Sequence, residues 1–210
     1  DTDDPMTGLE VELNLVDDDG NPALKGIEVL EAIADEDFQT ELGLFNLEIN
    51  IPPSRVDGEG LAVLEETLRD DLNAAQETAA GVGARLVMIG ILPTLGEEHL
   101  GYHTISPNPR YRLLSEQIMA ARGEDIELVI DGVDRLDTTS DTIMPEAACT
   151  STQLHLQVEP EDFAPFWNAA QAIAGVQVAV GANSPFLMGH QLWHETRIAL
   201  FEQATDTRSE

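Results

Sequence analysis

Cations are what this sequence has least of: its 210 residues hold 10 Lys and Arg together, and Lys25 is the one lysine. Against them stand 40 Asp and Glu, for a formal net charge of -30. Nucleic acid and anionic membrane are bound by clustered cations that displace counterions, so a surface of this sign repels both. A single cysteine, Cys149, excludes an internal disulfide and fits a reducing compartment. Its thiol is expected to serve as a small buried apolar group rather than a reactive one. Apolar runs of the ~20 residues that span a bilayer are missing, as is a charged-then-apolar leader before the first strand-like segment. These absences point to a cytoplasmic protein with small-molecule partners, no nucleic acid and no membrane. A homo-oligomer stays open.

What is present is an alternation of strand-like and helix-like segments, with 42% hydrophobic residues, enough for one substantial core. In "MTGLEVELNLVDDDG", Leu9, Val11, Leu13 and Leu15 alternate with Glu10, Glu12 and Asn14. Period two is the pattern of a strand with one buried face. The same grammar returns in "LFNLEINIPPS", where Phe45, Leu47, Ile49 and Ile51 alternate with Asn46, Glu48 and Asn50, and Pro52 and Pro53 are expected to end the run. It returns again in "STQLHLQVEP", with Leu154, Leu156 and Val158 against Gln153, His155 and Gln157.

Between these strands, "GIEVLEAIADED" predicts a short amphipathic helix. "GLAVLEETLRDDLNAAQETAAGVG" predicts a long one, with Leu61, Leu64, Leu68, Leu72, Ala75 and Ala79 on its packed stripe. "ARLVMIGILPTL" reads as a buried strand and "RYRLLSEQIMAAR" as a helix. Residues 123–147 read as a strand plus loop. "EDFAPFWNAAQAIAGVQVAVGANSPF" reads as a long apolar helix entering a turn, and "HQLWHETRIALFEQA" as a final helix.

Taken singly, each alternating strand is explained by a sheet with one wet face. Together the three polar faces offer Glu, Glu, Asn, then Asn, Glu, Asn, then Gln, His, Gln. Hard oxygen donors projected from neighbouring strands suit Mg²⁺, which shares its shell with substrate phosphates.

The ordered set "GLEVELNLVDDDG", "LEINIPPS", "RYRLL", "QLHLQV", "GANSPFLMG" and "WHETRI" resembles the carboxylate-amine ligases of the glutamate-cysteine ligase type over nearly the whole chain. The resemblance implies an α+β, glutamine synthetase-like fold: a curved, mostly antiparallel sheet with helices packed on its outer face and carboxylates on the concave one. It implies ATP-dependent activation of a carboxylate, the glutamate γ-carboxylate foremost, as an acyl phosphate for attack by an amine, with Mg²⁺ or Mn²⁺ and ATP as cofactors. By position in the motifs, Glu10, Glu12 and Glu48 resemble metal ligands and His155 resembles the histidine near metal and phosphate. Arg197 resembles the arginine directed at the nucleotide phosphates or the transferring group. On the residues alone, His155 also fits a hydrogen-bonded sheet histidine, and Arg197 a partner of Glu195 or Glu202. The family's catalytic domain carries further strands, so residues 1–210 are expected to form one domain that is an N-terminal portion of it. The competing expectation is a catalytically inactive ligase-like domain for metabolite binding or assembly.

Overall fold

A computed structural model describes residues 5–208. Its centre is one long strand, β1 (Met6–Val16). Helix α1 (Gly26–Ile33) and the short strand β2 (Phe38–Thr40) follow, then β3 (Asn46–Arg55), helix α2 (Gly60–Gly81) and strand β4 (Arg85–Val87). Helix α3 (Pro109–Arg122) precedes a hairpin of β5 (Ile126–Asp131) and β6 (Arg135–Ser140). A 3₁₀ turn at Met144–Ala148 leads into β7 (Thr152–Leu156) and helix α4 (Phe163–Gly181). A small hairpin of β8 (Phe186–Leu187) and β9 (His190–Gln191) precedes helix α5 (Thr196–Thr205).

The main sheet runs β2-β3-β1-β4, and β7 also pairs with β1. Every pairing is antiparallel. Because β1 has 11 residues, one of its edges serves two partners: Asn14–Val16 pair with β4, and Thr7–Val11 pair with β7. Its other edge pairs with β3, in a register that sets Glu12 opposite Glu48 and Asn14 opposite Asn46. The architecture is therefore α+β with an antiparallel sheet.

Alternation does what the sequence pattern demands. Leu9, Val11, Leu13 and Leu15 of β1 and Leu47, Ile49 and Ile51 of β3 are buried against α1 and α2, chiefly Val29, Leu64, Ala75 and Ala79. A second core joins Phe45, Ile91 and Leu95 to the β5–β6 hairpin, the Met144 turn and Leu200 of α5.

Several expectations are corrected. The prolines do not end the second strand, since β3 continues to Arg55. Thr7 pairs with Ser54 and Leu9 with Ile51, so Gly8 alone faces Pro52 and Pro53 in a β-bulge. On the other edge of β3, β2 reaches only Leu47–Ile49, so the prolines interrupt no ladder there. Leu61 is 55% exposed and lies off the packed stripe of α2. The expected strand at 84–95 shrinks to three residues because its backbone is diverted to side chains. Ile89 O accepts from Asn14 Nδ2 at 3.2 Å, and Gly90 N donates to Asn183 Oδ1 at 3.1 Å. Residues 126–140 form two strands rather than one. The third alternating strand buries neither Leu154 nor Leu156, and α4 has no buried residue, because no described element covers them.

The buried face sets a stability test. Leu47→Ala empties a fully buried site between sheet and helices and is expected to cost about 2–5 kcal/mol, whereas Leu61→Ala should stay within about 0.5 kcal/mol. Urea denaturation of the two variants checks the difference.

Candidate metal and nucleotide site

The register of β1 against β3 puts two carboxylates directly opposite each other, and β2 delivers a third. Glu41 is the first residue past β2, where the chain turns back toward β3. Glu12, Glu41 and Glu48 each offer an oxygen within 4.8 Å of the others, and all three are half-buried. Like charges facing across a sheet repel, so the arrangement is costly unless a cation or proton intervenes.

The titration behaviour agrees. Glu41 is pushed up to about 7, first by burial and then by the charges of Glu12 and Glu48. Glu12 is raised by burial, with Glu48 adding to the effect, while hydrogen bonds from Ser151 oppose it. Ser151 donates its N–H to Glu12 Oε2 at 2.8 Å and its hydroxyl to Glu12 Oε1 at 3.0 Å. Glu48 Oε1 accepts from Asn50 Nδ2 at 2.6 Å. Glu146, from the 3₁₀ turn, is likewise pushed up to about 7 by burial and by Glu41 and Glu12.

Glu12, Glu41 and Glu146 line a cavity of about 840 Å³, together with Cys149, Glu195 and Arg197. Burial pushes the Cys149 thiol up, so it stays protonated at neutral pH and serves as packing. Arg197 brings a positive charge to this cavity, yet its guanidinium is engaged. Nε and Nη2 hold Glu195 at 2.5 and 2.7 Å, and Nη1 donates to Thr150 O at 2.6 Å. Burial works against ionisation of Glu195, but the bonds from Arg197 and Ser184 outweigh it and hold its carboxyl below the usual range. Ser184 is fully buried and its hydroxyl donates to Glu195 at 3.0 Å, a structural role with no nucleophile in it.

Of the residues singled out from sequence, Glu12 and Glu48 thus meet, and Arg197 lines the same cavity as Glu12. Glu10 and His155 stand apart from the carboxylate trio. His155 Nε2 lies 3.0 Å from Glu10 Oε1, and both line a neighbouring cavity of about 650 Å³ with Asn50, Pro52, Pro53 and Leu156. Two residues along a strand is about 6.6 Å, which separates Glu10 from Glu12 although both point to the same face. Glu41 and Glu146 were missed because neither sits in an alternating strand, and nothing local marks a turn residue as facing Glu12.

The sequence model of Glutamate-cysteine ligase family 2 matches residues 6–210. The chain belongs to that family. A relative in Mycolicibacterium vanbaalenii, provisionally named glutamate–cysteine ligase 2-2, is 33% identical over 117 residues, which make up 55% of this chain and 30% of the relative. A bifunctional glutathione synthetase from Pasteurella multocida is similar in structure with a TM-score of 0.40 and 16% identity, over 79% of this chain and 19% of that one. The chain thus matches less than a third of the length of each. For this member of glutamate-cysteine ligase family 2, the metal question turns on donor chemistry. Three carboxylates within reach of one another form a hard, all-oxygen set, which fits Mg²⁺ or Mn²⁺.

A carboxyl whose folded pKa is raised binds more protons folded than unfolded. The stability contributed by protonated Glu41 is therefore full below its unfolded value near 4.5 and is lost as pH rises through about 7. Metal-free protein at constant salt is expected to melt at a lower temperature at pH 8 than at pH 5.5. Glu41→Gln should flatten that slope, and added Mg²⁺ should raise the melting temperature more at pH 8 than at pH 5.5. Calorimetric scans across this range check both.

Proposed function

We propose that the chain carries the metal and nucleotide side of an ATP-dependent carboxylate-amine ligase of the glutamate-cysteine ligase type, taking an amino-acid carboxylate, foremost the glutamate γ-carboxylate, and an amine. The observation that carries the reading is the carboxylate trio Glu12, Glu41 and Glu48 beside a cavity large enough for a small substrate. Phosphorylating a carboxylate brings two anions together. In a protein with a net charge of -30, local cations must offset that repulsion. A divalent ion held by the trio would supply the positive charge at the γ-phosphoryl group.

The chain's own residues divide the remaining work. Glu12, Glu41 and Glu48 would hold one ion, and Glu10 with His155 would serve the adjoining cavity, where the Pro52–Pro53 wall is apolar and the Glu10 carboxylate can reach a second ion or a phosphate-bound one. In the reaction, a substrate carboxylate oxygen bonds to the γ-phosphorus as ADP leaves. The amine then bonds to the acyl carbon, inorganic phosphate departs with the former carboxylate oxygen, and the amine nitrogen gives up a proton. Arg197 in the phosphate-contacting role would have to give up part of its hold on Glu195 or Thr150.

One observation favours a second reading. Leu154, Leu156, Phe163, Trp167 and Val180 are all exposed, and the 19-residue α4 has no charged side chain, a surface suited to assembly. An inactive assembly domain would use that surface and leave the trio idle.

Activity separates the two. The full-length protein, given glutamate, a panel of amines and Mg²⁺-ATP, is expected to release ADP in an amine-dependent way. Glu12→Gln, Glu41→Gln and Glu48→Gln are each expected to weaken Mg²⁺-ATP binding by roughly 30-fold, about 2 kcal/mol, with the fold retained. Calorimetric titration with far-UV circular dichroism as the control reads this out, and unchanged affinity in all three would return the trio to an idle acidic face.

A further inference from the structure

Arg197 sits in the cavity but spends its donors on the protein. Its planar fork grips both oxygens of Glu195, and Nη1 reaches Thr150 O at 2.6 Å. The guanidinium also lies close to Gly90, where an added Cβ would come within 2.7 Å of Cζ. Gly90 O in turn accepts from Thr150 N at 3.0 Å. Thr150 is thereby held at both ends, its carbonyl by Arg197 of α5 and its N–H by the loop after β4.

The next residue is Ser151, and it exchanges three hydrogen bonds with Glu12. Ser151 N–H and Oγ–H each donate to a different carboxylate oxygen, and Ser151 O accepts from Glu12 N at 2.9 Å. A carboxylate with one donor fixed on each oxygen has lost its rotational freedom, and its remaining lone pairs point in set directions. Donors behind a ligand typically change metal affinity by roughly 10–100-fold when removed.

We infer that Arg197 acts on the metal-binding carboxylates at one remove: it clamps the Thr150–Ser151 peptide, and Ser151 fixes the carboxylate of Glu12, which makes Arg197 and Ser151 positioning residues of the trio. The inference rests on the metal reading of Glu12, Glu41 and Glu48 proposed above. It gives Arg197 a task that is present before any nucleotide binds. An arginine whose role is to touch phosphate has no such task.

The test is therefore Mn²⁺ binding to the full-length protein without nucleotide, read from the electron paramagnetic resonance signal of free Mn²⁺. Ser151→Ala is expected to weaken binding about tenfold, and Ser151→Thr, which keeps both donors, to restore it to within about twofold. Arg197→Gln should weaken Mn²⁺ binding by a similar factor. In the double variant the losses should not multiply, because both act through the same bonds. If Arg197→Gln loses its circular dichroism signal, Arg197→Lys is read in its place, since it keeps the charge but cannot hold Glu195 and Thr150 together. Wild-type Mn²⁺ affinity in Ser151→Ala or in the folded Arg197 variant overturns the relay, as do losses that multiply in the double variant. A wild-type protein that binds no Mn²⁺, or a Glu48→Gln variant that binds it unchanged, overturns the metal reading together with the relay, and so is told apart from failure of the relay alone.

Discussion

Two glutamates set directly across from each other on neighbouring strands, with a third brought in from a turn, form the constraint around which the rest is arranged. Glu12 and Glu48 face each other because β1 and β3 pair in a register that the buried leucines and isoleucines on the opposite face enforce. Slipping that register by one residue would turn every apolar side chain of β3 into the wet face. The hydrophobic core thus holds together charges that would otherwise separate. Burial first, and their mutual repulsion after it, raise the proton affinity of Glu12 and Glu41. A proton would relieve that repulsion, and so would a divalent ion.

The length of β1 explains how one sheet supports two adjoining cavities. Its edge is divided between β4 and β7, and residues between Ile89 and Ser151 close the gap chiefly by side-chain bonds, with one backbone bond from Glu12 N to Ser151 O. Asn46 donates to Asn14, Asn14 donates to Ile89 O and Thr150 Oγ1, and Ser151 donates to Glu12. Fully buried Asn14 and Asn46 belong to this polar seam, which begins where the carboxylates end. One buried acceptor of this network, Asn46 Oδ1, has no partner, and the network ties the carboxylate face to α5 through Arg197.

Charge and apolarity are segregated across the molecule. Glu12, Glu41, Glu146 and Glu195 line the larger cavity, while α4 has no charged residue and Leu154 and Leu156 of β7 are exposed. This exposed apolar area continues directly from the strand that carries His155.

The sequence by itself determined the two long strands, β1 and β3, with their buried faces, and the family. Period-two alternation is a local property, so Leu9, Val11, Leu13, Leu47 and Ile49 were assigned to the core correctly. Glu10, Glu12, Glu48 and His155 could be placed on polar faces for the same reason. Which of them meet was decided by tertiary structure alone. Register and the two-residue step along β1 send Glu12 toward Glu48 and Glu10 toward His155, and neither quantity is written in one strand's pattern. Glu41 and Glu146 enter the site from turns with no periodicity, so only chain reversal brings them to Glu12. Arg197 is divided: its pairing with Glu195, two residues away, was one of the alternatives open in the sequence, but its bond to Thr150 depends on how α5 packs against a residue 47 positions earlier. Alternation fixes which way a side chain points, while long-range packing fixes what it finds there.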